Sequence, residues 1–337
     1  MIGLFPTVVA VIVFNVVLAM LVVALRLRSD RRERSFRQVE ARWDPLLVRV
    51  IGGEDVSAPT IRPDEARHVL VVAGAYARCL RGSDLDRLQA FVEPYARTLL
   101  PELRSRSAEK RATAAELLGV LALHKCSRYI VETLDDPSPR VSLVAARALS
   151  RPEYPEHTAA VLDRVHRYSH WSPSLISSML ALVGSGAMED LRSYLADPDR
   201  PSRGRAVVAG TLRLLRDARS APIAAAALDS DNPDLVVSSL RLISAVGSSQ
   251  QAESVRPMLE HDVFFVRAEA ASVLSKIGDP WDVDAVANLL HGDSPWAALR
   301  SAKALMALGE RQMLEDLSRG HGLASESARE ALQVELV

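Results

Sequence analysis

An all-α architecture is predicted: one transmembrane helix, then an α-solenoid of stacked helix pairs. Three observations carry that reading. An uncharged apolar run opens the chain. Leucines recur on a step of about 31 residues through most of the remaining chain. The composition is 48% apolar and 25% charged but only 5% aromatic. Ala, Leu and Val dominate, a mixture that suits close helix-on-helix packing and few β-strands.

The apolar run spans Leu4 to Leu25 without a charge. As a helix it would be about 33 Å long at about 1.5 Å per residue, enough to cross a hydrocarbon core. A cleaved signal peptide is disfavoured, because Met1-Ile2-Gly3 has no basic side chain and no small-residue cleavage site comes after the run. Residues 1–25 are therefore expected to be a transmembrane helix. Arg26, Arg28, Arg31, Arg32, Arg34 and Arg37 come next as membrane-flanking basic residues. By the positive-inside rule the protein is expected to be single-pass in the inner (cytoplasmic) membrane, with its C-terminal domain in the cytoplasm.

Residues 26–50 read as a basic juxtamembrane helix, with Phe36, Val39 and Trp43 at helical spacing. Trp43-Asp44-Pro45 is expected to end or kink it. The Gly-, Pro- and Ser-containing stretch 51–63 (IGGEDVSAPTIRP) reads as a linker. Residues 64–102 read as degenerate N-terminal cap helices, and 103–337 as repeats closed by a C-terminal cap.

The repeat is marked by Leu103, Leu134, Leu162, Leu195, Leu228, Leu259 and Leu290. Each closes a short apolar helix. A turn with Asp, Pro or Ser comes after it and supplies N-caps and first-turn prolines. A longer Ala-rich helix comes next, often stopped by glycine, as at Gly184, Gly247, Gly278 and Gly309. One such unit cannot bury its apolar face alone, so the units must stack.

The segments 259–278 (LEHDVFFVRAEAASVLSKIG) and 290–309 (LHGDSPWAALRSAKALMALG) show the pattern best. They resemble HEAT repeats of the short bacterial kind, also seen in phycobilin-lyase-type proteins. The resemblance covers roughly residues 100–320 and implies a fold of HEAT-like helix pairs. Bacterial proteins of this layout look like companions of membrane glycosyltransferases that make surface polysaccharides. The implied function is a membrane-tethered cytoplasmic scaffold for protein–protein interaction. The alternative is an enzyme on the same scaffold, lyase-like in its chemistry.

No catalytic, cofactor-binding or metal-binding set emerges from the residues. His166 and His170 have the spacing of a two-histidine metal pair but lack a third ligand nearby. Glu156-His157 and Glu260-His261 reverse the His-Glu order of iron hydroxylases built on such repeats. Cys79 and Cys126 lack an activating neighbour and read as small buried hydrophobes. Gly184-Ser185-Gly186 lacks the strand that a phosphate loop requires. The chain has 41 basic and 42 acidic residues, and after residue 42 the balance is −5. That opposes nucleic-acid binding, and a small-molecule ligand is not expected.

Arg140, Arg205, Arg267 and Arg300 recur near the starts of the longer helices. They form either a surface that grips an acidic partner or a ladder with Asp136, Asp199, Asp262 and Asp293. The expected partners are thus proteins on the solenoid surface, and the membrane.

Overall fold

The computed structural model describes residues 37–61 and 63–333, together with Leu18, Ala19, Met20, Val23 and Arg26. The described residues are helical throughout, with no strand. They fall into two compact units, one ending at Ile130 and one beginning at Val131.

The N-terminal unit contains α1 (37–51), α2 (Pro63–Ala77), α3 (Ser83–Ala96), a 3-10 segment (Arg97–Arg104) and α4 (Ala108–Val120). Its core gathers on α1. Trp43 is completely buried, with its ring 5.5 Å from Tyr95 and 6.3 Å from Phe91. Its indole N–H donates to Glu65 at 3.1 Å, which satisfies the one polar atom that burial would otherwise strand. Leu47 and Val50 bury on the same face, and α2 packs on α3 and α4.

Of the two outcomes expected at Pro45, an end is excluded: helix α1 runs through it, with Trp43, Leu47 and Val50 on either side held in the core. Asp44 also accepts a hydrogen bond from the Tyr76 hydroxyl, and that bond pushes the phenol up to about 12. The stretch after α1 is irregular but pinned: Arg87 Nε donates to the Ile51 carbonyl at 3.0 Å, and the Tyr95 hydroxyl donates to that of Pro59 at 2.6 Å.

The membrane expectation is overturned. Among the described residues no helix is long and apolar enough to cross a membrane. Of the expected span 1–25, all but Leu18, Ala19, Met20 and Val23 lie outside the described residues, as do Arg28, Arg31, Arg32 and Arg34. The described part of the expected juxtamembrane helix spends its apolar face on the core of the N-terminal unit. Placement as a single-pass inner-membrane protein with a cytoplasmic domain is corrected accordingly.

In the chain, α5 (His124–Thr133) straddles the boundary between the units. The C-terminal unit then alternates short and long helices. The short ones are α7 (Thr158–Leu162), α9 (Met188–Ala196), α11 (Ala221–Ala226), α13 (Ala252–Val255), α15 (Asp282–Asn288) and α17 (Arg311–Ser318). The long ones are α6 (Pro139–Leu149), α8 (Pro173–Leu180, continued by a 3-10 segment, Ala181–Ala187), α10 (Ser202–Leu215), α12 (Pro233–Val246), α14 (Phe264–Ile277), α16 (Pro295–Ala307) and α18 (Leu323–Gln333). From α8 to α18 each long helix packs on the next. The marking leucines are all buried. Leu228, Leu259 and Leu290 lie in 3-10 turns that tighten the ends of α11, α13 and α15.

Side chains cap α8, α12 and α16, while the residues before α6, α10 and α14 make no side-chain cap. Asn232 Oδ1 accepts from the Asp234 and Leu235 amides at 3.1 Å, and Ser294 Oγ from the Ala297 amide at 3.3 Å. Pro139, Pro173, Pro233 and Pro295 take first-turn positions. Two of the stopping glycines work differently. Gly309 has φ +92°, a left-handed stop. Gly278 has extended backbone, but a Cβ there would lie 2.5 Å from the Leu274 carbonyl oxygen.

Candidate protein-binding surface

Each long helix between α10 and α16 is covered by two long neighbours and by short helices. Small residues make that possible. Ala268, Ala270 and Ala271 of α14 and Ala297, Ala298, Ala302 and Ala304 of α16 are buried in these contacts. Two buried hydroxyls are satisfied on backbone: Ser177 Oγ donates across to the Val207 carbonyl at 2.8 Å, and Ser301 Oγ to that of Val286 at 2.5 Å. Only a narrow stripe of each long helix is left for solvent. On α12 the exposed positions are Asp234 and Arg241, seven apart, two helical turns.

Large apolar side chains stand at the N-terminal ends of two of these helices. Phe264 and Phe265 open α14 and are 45% and 36% exposed, and Trp296 in the first turn of α16 is 50% exposed. The two helix starts are side by side, because Arg267 of α14 reaches Asp293 just before α16 at 2.7 Å. The Arg300 guanidinium lies 5.2 Å from the Trp296 ring centre, a cation–π contact. Trp281, 89% exposed, stands in the turn leading into α15.

The predicted arginine series divides. Arg205 Nε donates to the Leu195 carbonyl at 2.9 Å, closing the end of α9. Arg267 donates to the His261 and Asp262 carbonyls at 2.9 and 3.0 Å, and pairs with Asp293. It thus meets the backbone of the aspartate in its own turn and the carboxylate of the aspartate one repeat on. Arg111 does the same at the fourth position of α4, reaching Ser105 and Arg106 carbonyls. Arg300 stacks on Trp296 instead. Arg140 is exposed and pairs with no carboxylate among the described residues. Of the membrane-flanking set, Arg26 and Arg37 are described and exposed.

Sequence reasoning passed over a second set of arginines, on the short helices and their turns. Arg164 grips Asp135 through two bonds, 2.7 and 2.9 Å. Arg200 reaches Asp163 at 2.6 Å, Arg192 reaches both oxygens of Asp217 at 3.1 Å, and Arg256 reaches Asp282 at 2.5 Å. Arg164 holds the Asp135 carboxyl below the usual carboxylate range. Burial pushes Asp282 up, but Arg256 and the Asp279 amide outweigh it, so the group sits below its ordinary value. The detectable signal was an Asp–Arg separation near one repeat length: 29, 37, 25 and 26 residues.

The remaining candidates separate on placement. His166 lies in a 3-10 turn with Nδ1 3.1 Å from the Asp163 carbonyl, and His170 lies in the turn beyond, so the two share no α-helix. His261 Nδ1 accepts from the Val263 amide at 3.0 Å. Cys126 is buried, which pushes its thiol up. Cys79 is exposed, contrary to expectation, because α2 ends at Ala77 and the turn carries it outward. Among the described residues no group of three or more His, Cys, Asp or Glu is arranged to hold a metal ion. An open groove of ≈ 530 Å³ lies between the first turn of α10 and the turn at Asp229–Asn232, with Arg205 on its wall.

No protein-family model matches the chain, and no curated protein matches it. Solved structures do. A mutant of Kap121p, a karyopherin, superposes with a TM-score of 0.57 at 11% identity, over 89% of this chain and 39% of that one. This chain therefore spans well under half of that protein. The complex of CpcE and CpcF of phycocyanin lyase from Nostoc sp. gives a TM-score of 0.27 at 16% identity, covering 83% of this chain and 98% of that one. Human deoxyhypusine hydroxylase gives 0.33 at 15% identity over the same shares. The first likeness establishes the helical-repeat fold, and the other two are too distant to add to it.

Proposed function

We propose that this chain is a protein-binding scaffold with no catalytic centre of its own. The observation that supports it is the exposure of Phe264, Phe265 and Trp296 at adjacent helix starts in a chain with few aromatics. Aromatic side chains that could have been buried in a small-residue core are instead held at the surface on rigid helices. Interface anchors have that character, since aromatics supply large contact area at low entropic cost. The arginines of the short helices are spent on neighbouring repeats, which leaves the exposed edge as the surface open to a partner. A surface-polysaccharide glycosyltransferase, the partner class implied by the sequence resemblance, is one candidate partner.

The test compares affinity capture by the full-length protein with capture by Phe265→Ser/Trp296→Ser. The expected result is a partner retained by the wild type and lost by the variant, with melting behaviour preserved. Identical capture by both proteins would remove the edge from the interface. Turnover of a candidate substrate by the purified chain alone would replace the scaffold reading with an enzymatic one.

A further inference from the structure

The long helices of the C-terminal unit carry a charge pattern that packing does not explain. Their exposed stripes from α10 to α16 hold Arg203, Arg213, Arg241, Lys276 and Lys303, with the half-buried Arg300 beside them. Against these stand one exposed acid, Asp234, and the half-buried Glu269, and α10 and α16 contain no acid. Glu269 is already taken by Arg241 at 3.3 Å. None of the other five cations meets a carboxylate among the described residues. Arg203 donates to the Ser169 carbonyl at 2.7 Å, Lys276 to the Ser244 hydroxyl at 2.9 Å, and Arg300 lies over Trp296. On the short helices, by contrast, Asp135, Asp163, Asp217 and Asp282 each have an arginine.

We infer that the cationic stripe across α10, α12, α14 and α16 docks an acidic segment of a partner protein. This deepens the scaffold reading and rests on it. The stripes lie on successive parallel helices: Arg241 meets Glu269 halfway along α12 and α14, and Arg267 meets Asp293 at the starts of α14 and α16. Neighbouring helices are about 8–10 Å apart, so the cations repeat at about that step across the surface. A polyproline-II segment advances about 3.1 Å per residue and returns to the same face every three residues, so an acid at every third position would meet one helix after another. Trp296 lies seven residues, two turns, before Lys303 on α16, beside the stripe and exposed for an apolar residue of the same partner.

A nucleic acid fits the same cations less well. A duplex carries a charge about every 1.7 Å, several for each cation offered here. The chain beyond residue 42 is also net acidic, which opposes a polyanion at long range. A short acidic peptide carries few enough charges to be answered locally.

The experiment uses the full-length protein and a labelled peptide with Glu at every third position and one terminal Trp. A peptide of the same composition with its Glu residues in one block serves as control, and a single-stranded oligonucleotide of equal charge as competitor. Fluorescence anisotropy is read at low and moderate salt. The spaced peptide is expected to bind best, and less tightly as salt rises. Arg213→Glu/Lys303→Glu is expected to weaken it about tenfold or more, and Arg213→Ala/Lys303→Ala by less. Arg219→Glu, in the turn before α11, is expected to leave it unchanged. Melting curves establish that each variant is folded. No binding of the spaced peptide, equal loss in Arg219→Glu, or tighter binding of the oligonucleotide would each overturn the proposal. If the peptide fails while edge-dependent partner capture persists, the stripe is refuted and the scaffold reading stands.

Discussion

The two sides of the C-terminal unit treat charge in opposite ways. On the short helices and their turns, arginines and aspartates are joined across a repeat: Arg164 to Asp135, Arg192 to Asp217, Arg200 to Asp163, Arg256 to Asp282. On the exposed stripes of the long helices, Arg213 and Lys303 meet no described carboxylate. The first set holds neighbours in register, and its removal should be felt in stability. Removal of the second set should leave stability unchanged. Sequence position does not separate them, since both are arginine-rich and both repeat. What separates them is whether a carboxylate lies one repeat away.

The largest effect that sharpens this contrast is expected at Asp282. It is almost fully buried, accepts from Arg256, and also receives the Asp279 amide, so it closes the turn as well as the repeat contact. Asp282→Asn keeps the shape and removes the charge. Breaking a buried pair costs about 3–5 kcal/mol, but Arg256 is partly exposed and can be resolvated, so about 2–4 kcal/mol is expected. The pH dependence has a definite sign. The folded-state value lies below the ordinary 3.8, so the contribution is fully present above about pH 4 and is lost as pH falls through the folded value. Urea titrations at pH 7 and pH 3 should show the gap between wild type and variant narrowing at the lower pH. A constant gap would mean that the loss came from packing.

A smaller loss, about 1.5–3 kcal/mol, is expected for Arg267→Ala. The bonds to the His261 and Asp262 carbonyls carry most of it, because Asp293 is 87% exposed and its pair with Arg267 is worth about 0–1 kcal/mol. Asp293→Ala should therefore cost far less than Arg267→Ala when both are followed by thermal melting. Equal costs would show that the pair, not the carbonyl clamp, sets the turn.

Much of this fold is legible in the sequence. The leucine step locates the ends of the short helices because a buried residue with two chain-terminating neighbours, a 3-10 turn and a cap, leaves a fixed local pattern. Leu228, Leu259 and Leu290 show it directly. The packing partner of α1 is not legible in the sequence, because a helix bearing Trp43, Leu47 and Val50 has the same amphipathic pattern whatever it packs against. Only the positions of Phe91, Tyr95 and Glu65, tens of residues later, decide it. A ladder between adjacent repeats is anticipated on Arg140, Arg205, Arg267 and Arg300. Its strongest rungs instead use Arg164, Arg192, Arg200 and Arg256, which a reading confined to the starts of the long helices passes over. The surface edge is harder still, since Phe264, Phe265 and Trp296 look like core residues until the small side chains around them are seen to have filled the core already.

The smallest expected effect is the sharpest test of the contrast. Replacing both Arg213 and Lys303 by alanine should change stability by no more than about 0.5 kcal/mol, the range of surface substitutions away from caps and buried networks. The two residues lie on α10 and α16, exposed and without a described carboxylate partner, so nothing buried is left unsatisfied by their loss. Removing two of several like charges should also lessen repulsion along the stripe, an effect that salt screens beyond about 8–10 Å. The variant should therefore melt at or slightly above the wild-type temperature in low salt, and the difference should vanish as salt rises. A clear fall in melting temperature would place these cations with Arg256 and Arg192 as structural groups, and the division between the two sides would fail. Unchanged melting in the same preparation that loses the spaced acidic peptide would assign the stripe to a partner.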